Sequence, residues 1–238
     1  MALAPLELRA MSNLPVDVHM LGRIAYTDAL TWQHNAASAV ASEDHPDMVA
    51  VLEHPPVYTV GARGKKNHLL VSEESLLAKG ADVIETNRGG DITFHGPGQL
   101  VLYSIMNLRR RGIGAIEYIH RLETAVIHTL SSMQLAGQAV KGRPGVWIGH
   151  RKISAIGVSI QRGITMHGLA LNIDPDLQWF DAIVPCGLHG LGVTSIARET
   201  GTAPDTDAIT TTVLEAIAHE FNPELRSETS SQRPHHDH

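Results

Sequence analysis

Alternating and helix-periodic hydrophobic positions divide the chain into a series of strands and helices. The segments predicted as strands are β-rich or alternate apolar with polar residues: 17–22, "MVAVLEH", "VYTVG", "DVIETN", "DITFH", "LVLYSIMNL", "GVWIG", "KISAIGVSI" and "ITMHGLALNI". Apolar residues at three- and four-residue steps, with capping and stop signals, predict helices over 26–42, 72–79, 115–134 and 205–221. Residues 161–163 predict a hairpin turn between the last two strands.

The order of these elements indicates an α+β fold. Short connections dominate between strands, and long helices stand between groups of strands, so we expect a mixed or antiparallel sheet with packed helices. A single domain is predicted over residues 15–225, with loose termini at 1–14 and 226–238. Neither a G-x-x-x-x-G-K-[ST] phosphate loop nor a G-x-G-x-x-G fingerprint occurs, so these motifs give nucleotide binding no support.

Composition narrows the classes of partner. Hydrophobic residues make up 43% of the 238 positions, enough for a substantial core, and the net charge of −6 argues against a general nucleic-acid binder. No apolar run reaches membrane-spanning length, and the N-terminal residues lack the pattern of a signal peptide. We therefore expect no membrane contact and a cytoplasmic protein.

Two local basic clusters stand out against the acidic balance. The first contains Arg63, Lys65 and Lys66, and the second is the run 109–111, which is three arginines. Each cluster is either a solvated turn or a docking patch for an acidic partner.

The single cysteine, Cys186, lies in the glycine-rich stretch "IVPCGLHGLGVTSI". A free cysteine is most often a small buried hydrophobe. Pro185 and Gly187 indicate a loop in which backbone approaches a ligand closely, and a neighbouring cation or base would make the thiol nucleophilic. Cys186 is therefore either a core residue or a nucleophile.

Lys152 is the candidate partner of that cysteine. It begins the otherwise apolar strand "KISAIGVSI", whose alternation predicts that Lys152, Ser154, Ile156, Val158 and Ile160 share a face. A lysine here is either a strand end whose ammonium reaches solvent or a cation near a site. Beside a cysteine, its ammonium would stabilise the thiolate and its neutral amine could act as a base.

Two histidines are framed by glycines. His95 ends the strand in "RGGDITFHGPGQL", between a glycine pair and a "GPG" turn, and His167 precedes Gly168 in "TMHGLALN". Each is either structural or part of a site in which the backbone approaches a ligand. No Cys and His spacing suitable for zinc and no G-x-S-x-G motif is present, so neither a metal site nor a serine triad is expected.

Taken together, "RGGDITFHGPGQL", "KISAIGVSI", "HGLALNI" and "VPCGLHGLGVTSI" resemble the octanoyltransferases of lipoate biosynthesis. The motif order and the 34-residue interval from Lys152 to Cys186 fit this family, and the resemblance extends over roughly residues 17–222. It implies a fold like that of the biotin and lipoate protein ligases. It also implies transfer of an octanoyl group from octanoyl-acyl carrier protein to a lysine of lipoyl domains, in 2-oxoacid dehydrogenase subunits and the glycine-cleavage H protein.

The resemblance also implies the site. Cys186 and Lys152 would form a catalytic dyad that carries the acyl group as a thioester, with no cofactor and no metal. The substrate-binding residues would be Arg88, Gly89, Gly90, Asp91, Ile92, Thr93, Phe94, His95, Ala155, Ile156, Gly157, His167, Gly168, Leu169 and Ala170. A monomer is expected.

Three other functions remain open from the sequence. An ATP-dependent lipoate or biotin ligase would share the fold but would need no nucleophilic cysteine. An amidotransferase acting between lipoyl domains would also use cysteine chemistry. A non-catalytic module that binds acyl carrier protein would keep the fold alone. The donor that the protein uses, and whether ATP is required, distinguish these classes.

Overall fold

The structure is a computed structural model, and it describes residues 14–42, 45–64, 68–184, 192–202, 204–221 and 225–227. The strands are β1 (Val16–Arg23), β2 (Asp47–Glu53), β3 (Val57–Val60), β4 (Asp82–Glu85), β5 (Ile92–His95), β6 (Gln99–Ile105), β7 (Gln138–Val140), β8 (Arg143–Ile148), β9 (Arg151–Gln161), β10 (Ile164–Asn172), β11 (Gly192–Val193) and β12 (Leu225–Ser227). The helices are α1 (Tyr26–Ala41), α2 (Glu73–Ala78), α3 (Leu108–Arg111), α4 (Ala115–Ser132), α5 (Ile196–Thr200) and α6 (Thr206–Phe221), with a 3₁₀ helix at Leu177–Ala182.

Two sheets organise the described residues. The large one has nine strands in the order β12-β1-β2-β6-β10-β9-β8-β7, with β11 paired to β9. The small one has the order β4-β3-β5. Because β1 pairs in parallel with β2 and β12 while β6, β8, β9 and β10 pair antiparallel, the predicted α+β fold with a mixed sheet is confirmed.

Helices cover both faces of the large sheet. On one face α4 and α6 pack their apolar stripes, which include Leu122, Val126 and Val213, against the strands. On the other face α1 contributes Ala29, Ala36 and Val40 to two smaller clusters. The central strands are therefore enclosed, and β6 and β10 are buried along their whole length.

Local sequence signals account for the elements that were predicted most clearly. The helix expected at 115–134 is α4, and the helix expected at 205–221 is α6, whose first turn is capped by the Asp205 carboxylate. The turn between β9 and β10 has positive φ at both Arg162 (53°) and Gly163 (90°), which matches the twist of a two-residue hairpin.

Two features differ from the expected arrangement. Strands β5 and β6 follow each other across a three-residue connection, yet they belong to different sheets, so the "GPG" segment carries the chain from the small sheet to the large one. At the far end, Arg226 and Ser227 pair with β1, so the last strand continues two residues past the predicted domain boundary at 225.

A buried ion cluster, formed by Asp47, Arg110 and Arg111, ties β2 to α3. The Asp47 carboxylate is inaccessible and receives Arg110 Nη2 at 2.6 Å and Arg111 Nε at 2.5 Å. Arg110 and Arg111 are thus engaged with Asp47, and Arg109 is the exposed member of the run, so the pairing favours a structural role for Arg110 and Arg111 over the docking patch.

Candidate active site

A cavity of about 540 Å³ lies where the loop after β4 and the small sheet meet β9 and β10 of the large sheet. Its volume is in the range of small-molecule sites. Apolar side chains, including Val101, Ile119, Ile156 and Leu169, form part of the wall, and a group of histidine, tyrosine and arginine side chains forms another. The cavity can therefore hold an apolar chain that ends in a polar, reactive group.

Nearly all described residues that the sequence placed in the site line this cavity. They are Arg88, Gly89, Gly90, Asp91, Ile92, Thr93, His95, Lys152, Ala155, Ile156, Gly157, His167, Gly168, Leu169 and Ala170. Phe94 is outside the lining, because its ring packs in the core of the small sheet, stacked on Trp179 with 5.3 Å between ring centroids. Cys186 and its loop, 185–191, lie outside the described residues.

Glycines let two backbone segments approach each other at the cavity wall. The Gly89 amide donates to the carbonyl of Val158 at 2.9 Å, so the loop after β4 lies directly on β9. A Cβ on Gly157 would come within 2.9 Å of the Gly89 carbonyl, and one on Gly168 would come within 2.2 Å of the Leu102 carbonyl. Both positions require glycine because backbone atoms of the neighbouring segment occupy the space of a side chain.

Arg88 brings a buried positive charge to the site. Its guanidinium donates to both the carbonyl and the hydroxyl oxygen of Thr59 and to the Gly89 carbonyl. The side chain is held in one orientation by these bonds and lines the cavity. A cation in this position favours negative charge that develops nearby during a reaction.

A histidine cluster, formed by His54, His95 and His167, stands beside Arg88. His54 Nδ1 donates to the Ile24 carbonyl at 2.8 Å, and the Tyr103 hydroxyl donates to His54 Nε2 at 2.8 Å. The rings of His54 and His95 are 5.9 Å apart in an edge-on arrangement. The tight packing of these rings fixes their planes.

The surroundings of all three imidazoles favour the neutral form. Burial lowers the pKa of His54, and it lowers the pKa of His95 further, with the neighbouring His54 and Arg88 adding to the effect. Burial, followed by the charge of Arg88, lowers the pKa of His167 to about 4. The polar part of the cavity therefore offers neutral imidazoles next to one fixed cation.

His167 also carries an unusual backbone conformation. Its φ is 61°, in the left-handed region that residues other than glycine seldom adopt. Its amide donates to Gln33 Oε1 at 2.7 Å and its Nε2 lies 2.8 Å from Asn87 Oδ1, so both ends of the residue are held. Strained conformations of this kind persist at functional sites when the surrounding structure enforces them.

Lys152 enters the cavity because of an irregularity in β9. The pairing with β8 passes from Val146–Ser154 to Trp147–Lys152, so Ile153 is an extra residue, and Ile153 joins Ile156 in one core cluster. The predicted simple alternation from Lys152 to Ile160 is therefore wrong at this point. Lys152 Nζ lies 4.7 Å from the centre of the Trp147 ring, a cation–π contact at the cavity wall.

The strand β11 connects Lys152 to the segment that contains Cys186. Val193 pairs with Lys152, and the Thr194 amide donates to the Lys152 carbonyl at 2.9 Å. Gly192, the first residue of β11, follows Cys186 by six positions. The described chain therefore resumes beside Lys152, six residues after Cys186 in sequence.

Several cavity residues were not predicted from the sequence. Tyr26, Gln99, Tyr103, Trp147 and Asn172 all line the cavity. Gln99 could have been found, because it directly follows the "HGPG" segment, whereas Tyr26 and Trp147 carry no local signal that separates them from core aromatics.

None of the helices in the described ranges combines the length and apolar character that a membrane crossing requires.

Residues 25–218 match the family described as the lipoyl protein ligase A/B catalytic domain, which sets the class of the protein. The chain is 43% identical over 214 residues to the octanoyltransferase of Chloroflexus aurantiacus, covering 89% of this chain and 96% of that protein. It is 44% identical over 209 residues to the mitochondrial octanoyltransferase LIP2 of Arabidopsis thaliana, covering 87% and 89%. The chain belongs to the octanoyltransferase family, whose reaction is octanoyl transfer in lipoate biosynthesis.

Solved structures show the same fold at lower sequence identity. A bi-partite lipoate protein ligase of Thermoplasma acidophilum, reported with its E2 lipoyl domain, matches with a TM-score of 0.70 and 13% identity, covering 92% of this chain and 89% of that one. A lipoate-protein ligase A bound with ATP matches with a TM-score of 0.67 and 12% identity, covering 92% and 90%. The expected likeness in fold to lipoate protein ligases is therefore confirmed.

Proposed function

We propose that the chain transfers an octanoyl group from octanoyl-acyl carrier protein to a lysine of a lipoyl domain, through a thioester on Cys186. The observation that carries this proposal is Lys152, which lines the cavity and pairs with β11, whose first residue, Gly192, follows Cys186 by six positions in sequence. A cation at this position is the partner that a cysteine needs to react as a thiolate.

The first half-reaction forms the acyl-enzyme. The Cys186 thiolate attacks the carbonyl carbon of the donor thioester, a carbon–sulfur bond to Cys186 forms, and the bond to the carrier's thiol breaks. Lys152 supplies the proton that the departing thiolate takes up. The fixed charge of Arg88 stabilises the oxyanion of the tetrahedral intermediate electrostatically.

The second half-reaction releases the product. The neutral amine of the acceptor lysine attacks the acyl-Cys186 carbonyl, a carbon–nitrogen bond forms, and the Cys186 sulfur departs. The proton lost by the amine passes to Lys152, which restores the starting enzyme. No nucleotide enters, because the donor thioester already supplies the activated acyl group.

The apolar wall of the cavity would hold the octanoyl chain. Ile119, Ile156 and Leu169 belong to this wall, and each methylene that leaves water there contributes roughly 0.8 kcal/mol. Arg63, at the rim, is exposed and lines the cavity, so it supports docking of an acidic carrier; Lys65 and Lys66 of the same cluster lie outside the described residues. We propose a monomer as the active unit.

Intact-mass measurement after mixing the protein with octanoyl-acyl carrier protein, without ATP, tests the proposal. Wild type should gain the mass of one octanoyl group, and Cys186→Ser should gain none. Lys152→Met should slow adduct formation by about 10²–10⁴-fold, whereas Lys79→Met, which alters an exposed lysine, should match wild type.

Two outcomes would contradict the mechanism. Octanoylation of a lipoyl domain by Cys186→Ser at the wild-type rate would show direct transfer without an acyl-enzyme. A strict requirement for free octanoate and ATP would instead assign the chain to the ligases that share its fold.

A further inference from the structure

A buried chain of amide side chains leads from His95 to the strand beside Lys152. Asn172 Nδ2 donates to the Thr194 carbonyl at 2.9 Å. Gln99 Nε2 donates to the Phe94 carbonyl at 3.2 Å and to Asn172 Oδ1 at 2.9 Å. Gln99 and Asn172, here called the amide relay, are both buried.

The direction of every bond in the amide relay is fixed by two backbone carbonyls. The carbonyl oxygens of Thr194 and Phe94 can only accept, so the NH₂ groups of Asn172 and Gln99 must face them. The oxygen of Gln99 is then the atom that faces His95 Nδ1, at 3.1 Å. Since that oxygen only accepts, His95 Nδ1 must carry the proton.

This assignment leaves Nε2 of His95 as an acceptor. A neutral imidazole that is protonated on Nδ1 has a lone pair on Nε2, and burial keeps the ring neutral by lowering its pKa. The ring lies parallel to that of Tyr26, with centroids 6.3 Å apart and planes inclined by 14°, and it lines the cavity. Within the part of the chain that the structure describes, no hydrogen bond engages Nε2.

An acceptor at this position discriminates between the two half-reactions. Formation of the acyl-enzyme places a carbonyl oxygen, a thiolate and a leaving sulfur at the reacting centre, and an unprotonated Nε2 cannot donate to the oxyanion. Attack by the acceptor lysine brings an amine, whose N–H can donate to Nε2. The step that can use this nitrogen is therefore the second one.

We propose that His95 Nε2 accepts an N–H of the attacking lysine and orients its lone pair toward the acyl carbon, and that Gln99 and Asn172 are positioning residues that fix the tautomer. This inference rests on the proposed function. In the step itself the carbon–nitrogen bond forms, the bond to Cys186 breaks, the amine proton passes to Lys152, and His95 ends unchanged.

The amide relay also fixes His95 relative to Lys152. The Thr194 residue whose carbonyl accepts from Asn172 donates its own amide to the Lys152 carbonyl. The same residue is held by its hydroxyl, which donates to the Glu199 carboxylate. One hydrogen-bonded frame therefore carries the acceptor imidazole and the lysine that receives the proton.

Nitrogen-15 NMR of histidine-labelled protein tests the tautomer without any activity. The His95 signals are those that disappear in His95→Asn. We expect Nδ1 to show a protonated shift and Nε2 an unprotonated one, and Gln99→Met to move the ring toward protonation on Nε2. A wild-type spectrum with the proton on Nε2 would overturn the inference, and this result is available even if Gln99→Met does not fold.

Single-turnover kinetics test the role. His95→Asn retains a donor toward Gln99 but has no acceptor atom at the position of Nε2, so acyl-enzyme formation should stay within about threefold of wild type, while transfer from preformed acyl-enzyme to a lipoyl domain should fall about 10- to 100-fold. His120→Asn, at an exposed histidine of α4, is the matched control and should change neither step.

The outcomes separate the inference from the proposed function. If His95→Asn slows acyl-enzyme formation and transfer to the lipoyl domain equally, or slows neither, the positioning role of His95 is refuted. The proposed acyl-enzyme would not be affected by that result. Absence of an acyl-enzyme in wild type would refute the proposed function, and the NMR experiment would still report which nitrogen carries the proton.

Discussion

The ion cluster lies just beyond the carboxyl end of the buried strand β6, whereas His95 of the histidine cluster lies beside Gln99, the first residue of that strand, and the two clusters satisfy their polar groups by different means. Just beyond the carboxyl end of β6, Asp47 meets two arginines and accepts the amide of Asn107 at 2.9 Å. At the other end, Gln99 begins β6 and engages a neutral His95. The charge of Asp47 is neutralised by ion pairs with arginines, whereas burial disfavours a charge on His95.

This difference indicates a structural role for the ion cluster and a role in the reaction for the histidine cluster. In the ion cluster the carboxylate of Asp47 is inaccessible and directly paired, so its oxygens are not available to a ligand. In the histidine cluster, His95 and His167 line a cavity and are kept neutral, which suits groups that accept hydrogen bonds from substrate. Substitutions in the first should affect stability, whereas those in the second should also affect pH dependence and reaction steps.

The largest effect is expected for Asp47→Ala. It leaves the Arg111 side chain, which is 4% exposed, buried without its carboxylate. The free energy of unfolding, measured by urea denaturation, should fall by about 3–5 kcal/mol.

Asp82→Ala is the matched control, because Asp82 is exposed in β4. It should change the free energy of unfolding by no more than about 0.5 kcal/mol. Equal costs for the two substitutions would mean that the ion cluster adds nothing beyond a surface charge, and the contrast with the histidine cluster would be lost.

A pH-dependent effect of intermediate size is expected from the histidine cluster. In the folded protein the pKa of His167 is about 4, against 6.5 for an ordinary histidine. Between pH 6.5 and pH 4 the unfolded chain binds a proton at His167 that the folded chain does not bind. The contribution of neutral His167 to the free energy of unfolding is therefore fully present above pH 6.5 and is lost as the pH falls toward 4. By linkage, His167 alone should lower the free energy of unfolding by roughly 3 kcal/mol over this pH range. The lowered pKa values of His54 and His95 act in the same direction.

His167→Asn isolates this contribution. Asparagine tolerates the positive φ of this position and does not titrate. Urea unfolding measured from pH 7 to pH 4 should therefore show a shallower loss of stability than in wild type. His120→Asn, at an exposed site, should reproduce the wild-type slope, and an unchanged slope in His167→Asn would refute the assignment.

Local patterns predicted most of the secondary structure but not the contacts between distant segments. Helix α4 and the β9–β10 hairpin follow from periodicity and turn chemistry that lie within a few residues. The role of Arg111 depends on Asp47, which is 64 positions away in sequence, and neighbouring arginines alone look like a surface patch. Pairing over such distances is set by the sheet order, which periodicity does not determine.

The site was predicted in the same uneven way. Glycine-framed histidines and an isolated lysine marked candidates, because close backbone approach and a lone cation leave a mark in the sequence, and the resemblance to the octanoyltransferases supplied the set of residues that line the cavity. The bulge at Ile153, which turns Lys152 away from strict alternation, leaves no such mark, since isoleucine is common in regular strands. The tautomer of His95 depends on amides at residues 99 and 172, and only their geometry shows which atom faces the ring.

The smallest expected effect on the free energy of unfolding distinguishes Arg110 from its neighbour Arg109. Arg110 donates to Asp47 at 2.6 Å and to the His45 carbonyl at 2.9 Å, but Arg111 still pairs with Asp47 when Arg110 is removed. Arg110→Ala should therefore lower the free energy of unfolding by about 1–2 kcal/mol. Arg109→Ala, next to it and exposed, should lie within about 0.5 kcal/mol of wild type in the same urea titration. If Arg110→Ala instead left stability unchanged and raised the KM for the acyl donor, the run would be a docking surface after all, and the ion cluster would reduce to Asp47 and Arg111.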